Sequence, residues 1–152
     1  MQPGATAMNE GNVLRIEREF SASPEAVYNA WVDPETLIKW WGPEGMTTPE
    51  YELNTHEGGH WTTTMQNSEG NRVTTSGVYK ILEPPSRLVF TWAWTQDDGS
   101  RGEETEVEIR LTPTETGTRM VLIQGKFGDA GNRDNHNFGW NSSFNDLDKL
   151  FG

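Results

Sequence analysis

Alternation of apolar and polar residues with a period of two constrains this chain more than any other feature of its sequence. In the segment 106–111, three aliphatic side chains alternate with three charged ones, as in a β-strand with one buried and one solvated face. The same period recurs at 13–20, 51–53, 61–65, 73–81, 88–94 and from Met120 to Gln124. Short turns, such as 67–71 and 97–99, separate these segments. Consecutive strands joined in this way predict an antiparallel sheet and exclude βαβ units.

Two short helices are predicted directly after the first strand. The triplets 23–25 (SPE) and 33–35 (DPE) each place a capping side chain before a proline at the first helical position and an early acid. We expect the second helix to carry Leu37, Trp40 and Trp41 until Gly42-Pro43 ends it.

The end of the chain changes its period. Trp140, Phe144, Leu147 and Phe151 stand at i, i+4, i+7 and i+11, which predicts an amphipathic helix. The order of elements predicts an α+β fold: a curved antiparallel sheet of six to seven strands, two short helices after the first strand, and a long C-terminal helix over the sheet. Residues 1–12 lack any period and are expected to form a disordered tail, which leaves 13–152 as one domain.

The net charge and the amino-acid composition limit the kinds of partner that the chain is expected to bind. A formal net charge of −11 repels polyanions, so we expect no binding to nucleic acid or to an anionic membrane. No apolar run approaches the length of a membrane span, and the first residues do not resemble a secretion signal. Cysteine is absent, which suits a reducing cytoplasm. Seven Trp, six Phe and three Tyr concentrate the apolar area of the chain in large rings.

One motif matches a zinc-binding pattern, but the residues around it do not favour the helix that such a site requires. The string 56–60 reads HEGGH, and an H-E-x-x-H zinc site needs a helix to bring both histidines to one face. Two adjacent glycines disfavour a helix, and the threonines at 62–64 favour a strand. We therefore predict a bend that enters a strand, and neither a metal site nor a cofactor. The sequence also lacks a nucleophile elbow and a phosphate-binding loop.

Several segments together resemble a known superfamily. They are FSASPEAVYNAWVDPETLIKWWGPEG (20–45), GGHW (58–61), GVYKILEPPSRLVFTW (77–92), TEVEIRLTP (105–113) and the pair Gly139-Trp140. The chain resembles the START-like superfamily, also called SRPBCC or Bet v-like, and within it the branch of activator of heat-shock-protein-ninety ATPase homologue-like proteins. The resemblance implies a helix-grip fold with a cavity between the sheet and the C-terminal helix.

Our first functional hypothesis is a binding protein without catalysis. An apolar or aromatic small molecule would enter between the terminal helix and the sheet, held by rings and oriented by a few polar groups. The candidate ligand-binding residues are Trp61, Thr63, Tyr79, Phe90, Trp92, Gln124, His136, Trp140 and Phe144. The affinity would come mainly from apolar area removed from water.

Two alternatives remain open, because one fold supports many functions. The first is a chaperone-associated interaction module, as the name of the resembled branch implies. The second is an enzyme of the cyclase or hydrolase type found elsewhere in the superfamily, with His136 as general base. That role requires the imidazole to lie within about 3.2 Å of the proton it removes, or one water away.

Overall fold

The computed structural model describes residues 12–96, 98–127 and 130–151. The seven strands are β1 (Asn12–Phe20), β2 (Thr47–Leu53), β3 (His60–Gln66), β4 (Arg72–Glu83), β5 (Arg87–Trp94), β6 (Thr105–Pro113) and β7 (Thr118–Phe127). The three helices are α1 (Pro24–Val32), α2 (Pro34–Leu37) and α3 (Ala130–Phe151). The tail expected at residues 1–12 lies outside the described residues apart from Asn12, with which β1 begins.

All seven strands form one antiparallel sheet in the order β1-β7-β6-β5-β4-β3-β2. Neighbours in sequence are therefore neighbours in the sheet from β2 to β7, and only β1 pairs with a distant strand, β7. The pairing of β4 with β5 shifts register between Tyr79 and Ile81, and such irregularities bend a sheet. The predicted α+β architecture, with a curved sheet and a long C-terminal helix, is confirmed.

Both short helices begin where the sequence predicts. The Ser23 hydroxyl accepts a hydrogen bond from the backbone N–H of Ala26 at 3.2 Å, and the Asp33 carboxylate accepts one from Thr36 at 3.1 Å. Each cap satisfies a backbone donor that has no partner within the helix. A proline follows each cap in the first helical turn.

The predicted extent of the second helix is wrong, because α2 ends at Leu37. Trp40 and Trp41 lie beyond it, and the backbone N–H of Trp40 bonds to the carbonyl of Leu37 at 3.2 Å, only three residues back. Both indoles are buried. The backbone N–H of Trp41 bonds to the same carbonyl at 3.0 Å, so the chain makes one irregular turn, from which both rings enter the core.

The core lies between the sheet and the helices. Phe144 and Leu147 of α3 are fully buried, and Trp31 of α1 contacts Phe144 at a ring-centroid distance of 6.1 Å. At the sheet edge, Arg18 of β1 donates a hydrogen bond to Asn145 of α3 at 3.1 Å. None of the helices in the described ranges has the length and apolarity needed to cross a membrane.

The HEGGH segment is a turn that leads into β3. Gly58 has a φ of +85°, a conformation that favours glycine, and its backbone N–H bonds to the carbonyl of Tyr79 at 2.7 Å. The Glu57 carboxylate accepts a hydrogen bond from the backbone N–H of Leu82 at 3.0 Å. These bonds attach the turn between β2 and β3 to β4. Over the ranges the structure covers, no group of three metal-ligating side chains is found.

Candidate functional site

A cavity of about 330 Å³ opens between α3, the end of β5 and the segment that joins α2 to β2. We call it the outer cavity. Its lining consists mostly of rings and other apolar groups. The lining residues are Trp41, Gly42, Pro43, Met65, Trp92, Trp94, Asn135, His136, Phe138, Gly139, Trp140 and Ser143. None of these twelve side chains carries a formal carboxylate, ammonium or guanidinium charge.

The four indoles in this lining already have hydrogen-bond acceptors within the protein. Trp41 Nε1 donates to Thr63 Oγ1 at 2.9 Å, and Trp140 Nε1 donates to Gln124 Oε1 at 2.8 Å. The indoles of Trp92 and Trp94 both donate to a histidine. An indole has only its one N–H to donate. A ligand in the cavity would therefore contact the ring carbons of these tryptophans and would not receive hydrogen bonds from them.

His136 is the acceptor that holds two of these walls. Its Nε2 atom accepts from Trp92 Nε1 at 3.2 Å and from Trp94 Nε1 at 2.9 Å, and the residue is only 8% exposed. Because an indole can only donate, Nε2 must be the unprotonated nitrogen, which assigns the ring proton to Nδ1. The lone pair of Nε2 is directed toward two wall indoles, so this histidine positions rings of the cavity.

The structure places three of the nine candidate residues in the lining of the outer cavity: Trp92, His136 and Trp140. Three others, Trp61, Tyr79 and Phe90, line a second and much smaller space of about 10 Å³. We call this space the inner hollow. Its remaining lining residues are Trp31, Leu37, Trp41 and Leu53.

The last three candidates lie behind the walls. Thr63, Gln124 and Phe144 are fully buried. Gln124 accepts from Trp140 with Oε1 and donates with Nε2 to Thr105 Oγ1 at 2.9 Å, so both ends of its amide are engaged within the protein. Thr63 is engaged in the same way by Trp41 and by Thr75 Oγ1 at 2.8 Å. These side chains fix the rings that line the cavity.

Sequence reasoning missed most of the remaining lining. Trp94 had a usable signal, because it continues the apolar face of β5 after Phe90 and Trp92. Phe138 had no signal in the sequence, because it falls two residues before Trp140, off the apolar stripe of α3. In the structure it lies at the rim of the cavity and is 75% exposed. Its ring extends the apolar surface of the cavity to the rim.

Tyr79, at the inner hollow, carries no charge. Burial raises the pKa of its hydroxyl to about 12, against a smaller lowering by a hydrogen bond with Thr55. The phenol is therefore protonated near neutral pH. The inner hollow is thus apolar at every side except for this neutral hydroxyl-bearing ring.

The segment that carries Trp41 is attached to α3 through Glu44. The Glu44 backbone N–H donates to Ser142 Oγ at 2.7 Å, and its carboxylate accepts from Asn145 at 3.3 Å and pairs with Lys149 at 3.5 Å. The hydrogen bond from Asn145 contributes most to the lowered pKa of Glu44; desolvation opposes it, and smaller effects of Lys149 and Ser142 lower the pKa further. This attachment lies next to Pro43 and Ser143, which line the outer cavity.

A curved antiparallel sheet that grips a long terminal helix around an apolar cavity defines a helix-grip protein. The model of one family, described as Activator of Hsp90 ATPase homolog 1-like protein, matches residues 21–152. The chain belongs to this family, which lies within the superfamily that the sequence resembles. No curated protein matches the chain significantly.

Solved structures agree with this assignment. The AHSA1 protein from Silicibacter pomeroyi is 37% identical, with a TM-score of 0.85 over 91% of this chain and 96% of its own. A protein from Chromobacterium violaceum is 30% identical, with a TM-score of 0.81 over 92% of this chain and 97% of its own. A protein from Arthrobacter aurescens shares the fold at 23% identity, with a TM-score of 0.82 over 93% and 87% of the two chains.

Proposed function

We propose that this protein binds a small, neutral apolar or aromatic molecule in the outer cavity, without catalysis. The observation that carries the proposal is the chemistry of the walls: four indoles whose N–H groups are all engaged elsewhere surround a space of about 330 Å³. Ligand cavities in proteins span roughly 300 to 1,000 Å³. The walls offer apolar area, which is the main source of affinity for such a guest.

Two further observations favour a neutral guest. No lining residue carries a carboxylate, ammonium or guanidinium group, and burying an unpaired charge in such surroundings is costly. The rim ring of Phe138 is 75% exposed, so it can cover an apolar guest at little conformational cost. Trp92, His136 and Trp140 are the candidates from the sequence that we propose to contact the guest, and Phe138, Trp41 and Trp94 join them.

Catalysis by His136 is the less favoured alternative. A general base needs a lone pair directed at the substrate proton, whereas Nε2 accepts hydrogen bonds from two indoles of the protein. The position of His136 is explained by its role in holding the indoles of Trp92 and Trp94 in place.

The test is a ligand panel measured by tryptophan fluorescence and thermal unfolding. We expect naphthalene and indole to raise the unfolding temperature, since a ligand that binds only the folded state stabilises it, and naphthalene also to quench or shift the tryptophan fluorescence. Naphthalene-2-sulfonate, a charged analogue of similar shape, should bind much more weakly. Phe138→Ala should weaken the binding of naphthalene. Tyr51→Ala is the matched control and should not, because Tyr51 is an exposed ring outside the outer cavity.

A flat response to every neutral compound would contradict the proposal. The description of the family then favours a second candidate, a chaperone-associated interaction module. That candidate predicts a complex with an Hsp90-type chaperone in analytical ultracentrifugation and a change in the ATPase rate of the chaperone. Both readouts should be unchanged if the outer cavity alone carries the function.

We also propose that residues 13–152 act as one domain and that the protein is located in the cytoplasm. The lack of cysteine suits a reducing compartment, and the net charge of −11 disfavours nucleic acid as a partner.

A further inference from the structure

The outer cavity and the inner hollow share one wall residue, Trp41. The inner hollow measures about 10 Å³, which is near the lower limit for a single water molecule. Its lining is apolar apart from the neutral hydroxyl of Tyr79. A hollow of this size holds no organic guest of its own, and the indole of Trp41 ends the outer cavity on this side.

Trp41 is a buried residue of the core that also forms the partition between the two spaces. The residue lies in the segment between α2 and β2, outside any helix or strand. Its indole is held by the hydrogen bond to Thr63 at 2.9 Å and by edge contacts with neighbouring rings. The ring centroids of Trp140 and Trp61 lie 5.6 Å and 6.0 Å away, one on each side of the partition.

The space beyond the partition is chemically continuous with the outer cavity. Trp31, Trp61 and Phe90 line the inner hollow, and the N–H of Trp61 is engaged with the carbonyl of Thr91 at 3.2 Å. That of Trp31 points at the sulfur of Met120 at 3.4 Å. An apolar chain that passed the position of Trp41 would therefore meet more ring carbon.

We propose that Trp41 determines the length of the ligand, restricting the outer cavity to compact, ring-sized apolar molecules and excluding long acyl chains. This inference rests on the proposed function. It predicts that a smaller side chain at position 41 joins the two spaces and extends the accepted length. Tyr51 lines neither space, so shortening it should leave the length limit unchanged.

The experiment uses straight-chain alcohols from butanol to dodecanol as probes, followed by tryptophan fluorescence and thermal unfolding. Affinity should rise about fourfold with each added methylene while the chain is being buried. In the wild type this rise should stop at a chain length that fills the outer cavity. In Trp41→Leu we expect the rise to continue to alcohols at least two carbons longer. Tyr51→Leu, at an exposed ring outside both spaces, is the control and should keep the wild-type limit.

Trp41→Phe provides a second variant in case the leucine variant does not fold, and it should show a smaller extension in the same direction. An unchanged length limit in the folded Trp41 variants, with normal binding of short alcohols, would overturn the inference and leave the proposed function standing. Failure of the wild type to bind any alcohol while it binds naphthalene would overturn the inference alone, and failure to bind naphthalene as well would overturn the proposed function too.

Discussion

The two halves of α3 differ in what they pack against. The first half, up to residue 143, borders the outer cavity with His136, Phe138 and Trp140. The second half, 144–151, packs against the core through Phe144 and Leu147, which have no exposed surface. One continuous helix thus has an open half and a closed half.

The difference shows how a helix-grip protein separates stability from binding. In the closed half, each buried ring or aliphatic group adds apolar burial and dispersion contacts to the folded state. In the open half, side chains that face the cavity lack partners on one side and forgo part of those contacts. Substitutions in the closed half should therefore lower stability, whereas selected substitutions in the open half should lower binding.

The largest effect is expected from Leu147→Ala in the closed half. The side chain is fully buried, and such a truncation costs about 2 to 5 kcal/mol of unfolding free energy through lost burial and the space left behind. Urea denaturation measures the change. A loss below about 1 kcal/mol would show that the closed half is not the tightly packed region described. The control is Leu150→Ala, which truncates an exposed leucine of the same helix.

The next largest effect is expected from His136→Ala in the open half. It leaves the indole N–H groups of Trp92 and Trp94 without their acceptor, and each unsatisfied buried donor costs about 1 to 3 kcal/mol. Because the two indoles are partly accessible from the cavity, the total loss of unfolding free energy should lie near the low end of this range. His136→Gln retains an acceptor and should recover part of the loss. Equal stability of the alanine variant and the wild type would contradict the role of His136 as a positioning residue.

A smaller effect, on binding alone, is expected from Phe138→Ala. The ring is 75% exposed, so unfolding free energy should change by no more than about 0.5 kcal/mol. Affinity for naphthalene should fall about five- to tenfold, as expected for the loss of roughly 1 to 1.4 kcal/mol of apolar burial against the guest. Isothermal titration provides the measurement. Unchanged affinity would remove Phe138 from the site.

The closed half of α3 was predictable from the sequence, and so was most of the fold. Phe144 and Leu147 repeat at helical spacing because the side chains that face a core must recur every turn. The strands were predictable for the same reason, with a period of two. The end of α2 was not predictable, because the burial of both Trp40 and Trp41 depends on contacts with distant elements.

The open half was harder to predict, because a cavity has no period of its own. Trp92, His136 and Trp140 were expected there and line it, whereas Gln124 lies behind Trp140 as its hydrogen-bond acceptor. The inner face of a sheet carries core and cavity residues in the same alternation. Which of them meets empty space depends on how far the helix stands from the sheet, and one sequence does not report that distance. Phe138 shows the limit, because an exposed ring on a helix has no distinct pattern.

The smallest expected effect concerns Glu44, which attaches the Trp41 segment to α3 near the boundary between the two halves. Its pKa is lowered in the folded protein, chiefly by the hydrogen bond from Asn145 and then by Lys149 and Ser142. A group with a lowered folded pKa binds fewer protons in the folded state than in the unfolded state. Its contribution to stability is therefore complete above the ordinary value of 4.5 and is lost as the pH falls through the lowered pKa.

Glu44→Gln should consequently be slightly less stable than the wild type at neutral pH, and the gap should close in acid. The effect is small because the carboxylate is exposed to solvent, which weakens its interactions. Urea denaturation at a series of pH values from neutral to below 4.5 tests this, with Asn145→Ala expected to reduce the acid sensitivity in the same direction. Parallel pH profiles for Glu44→Gln and the wild type would show that the carboxylate does not hold the segment. In that case the backbone hydrogen bond to Ser142 would be the attachment that holds the segment to α3.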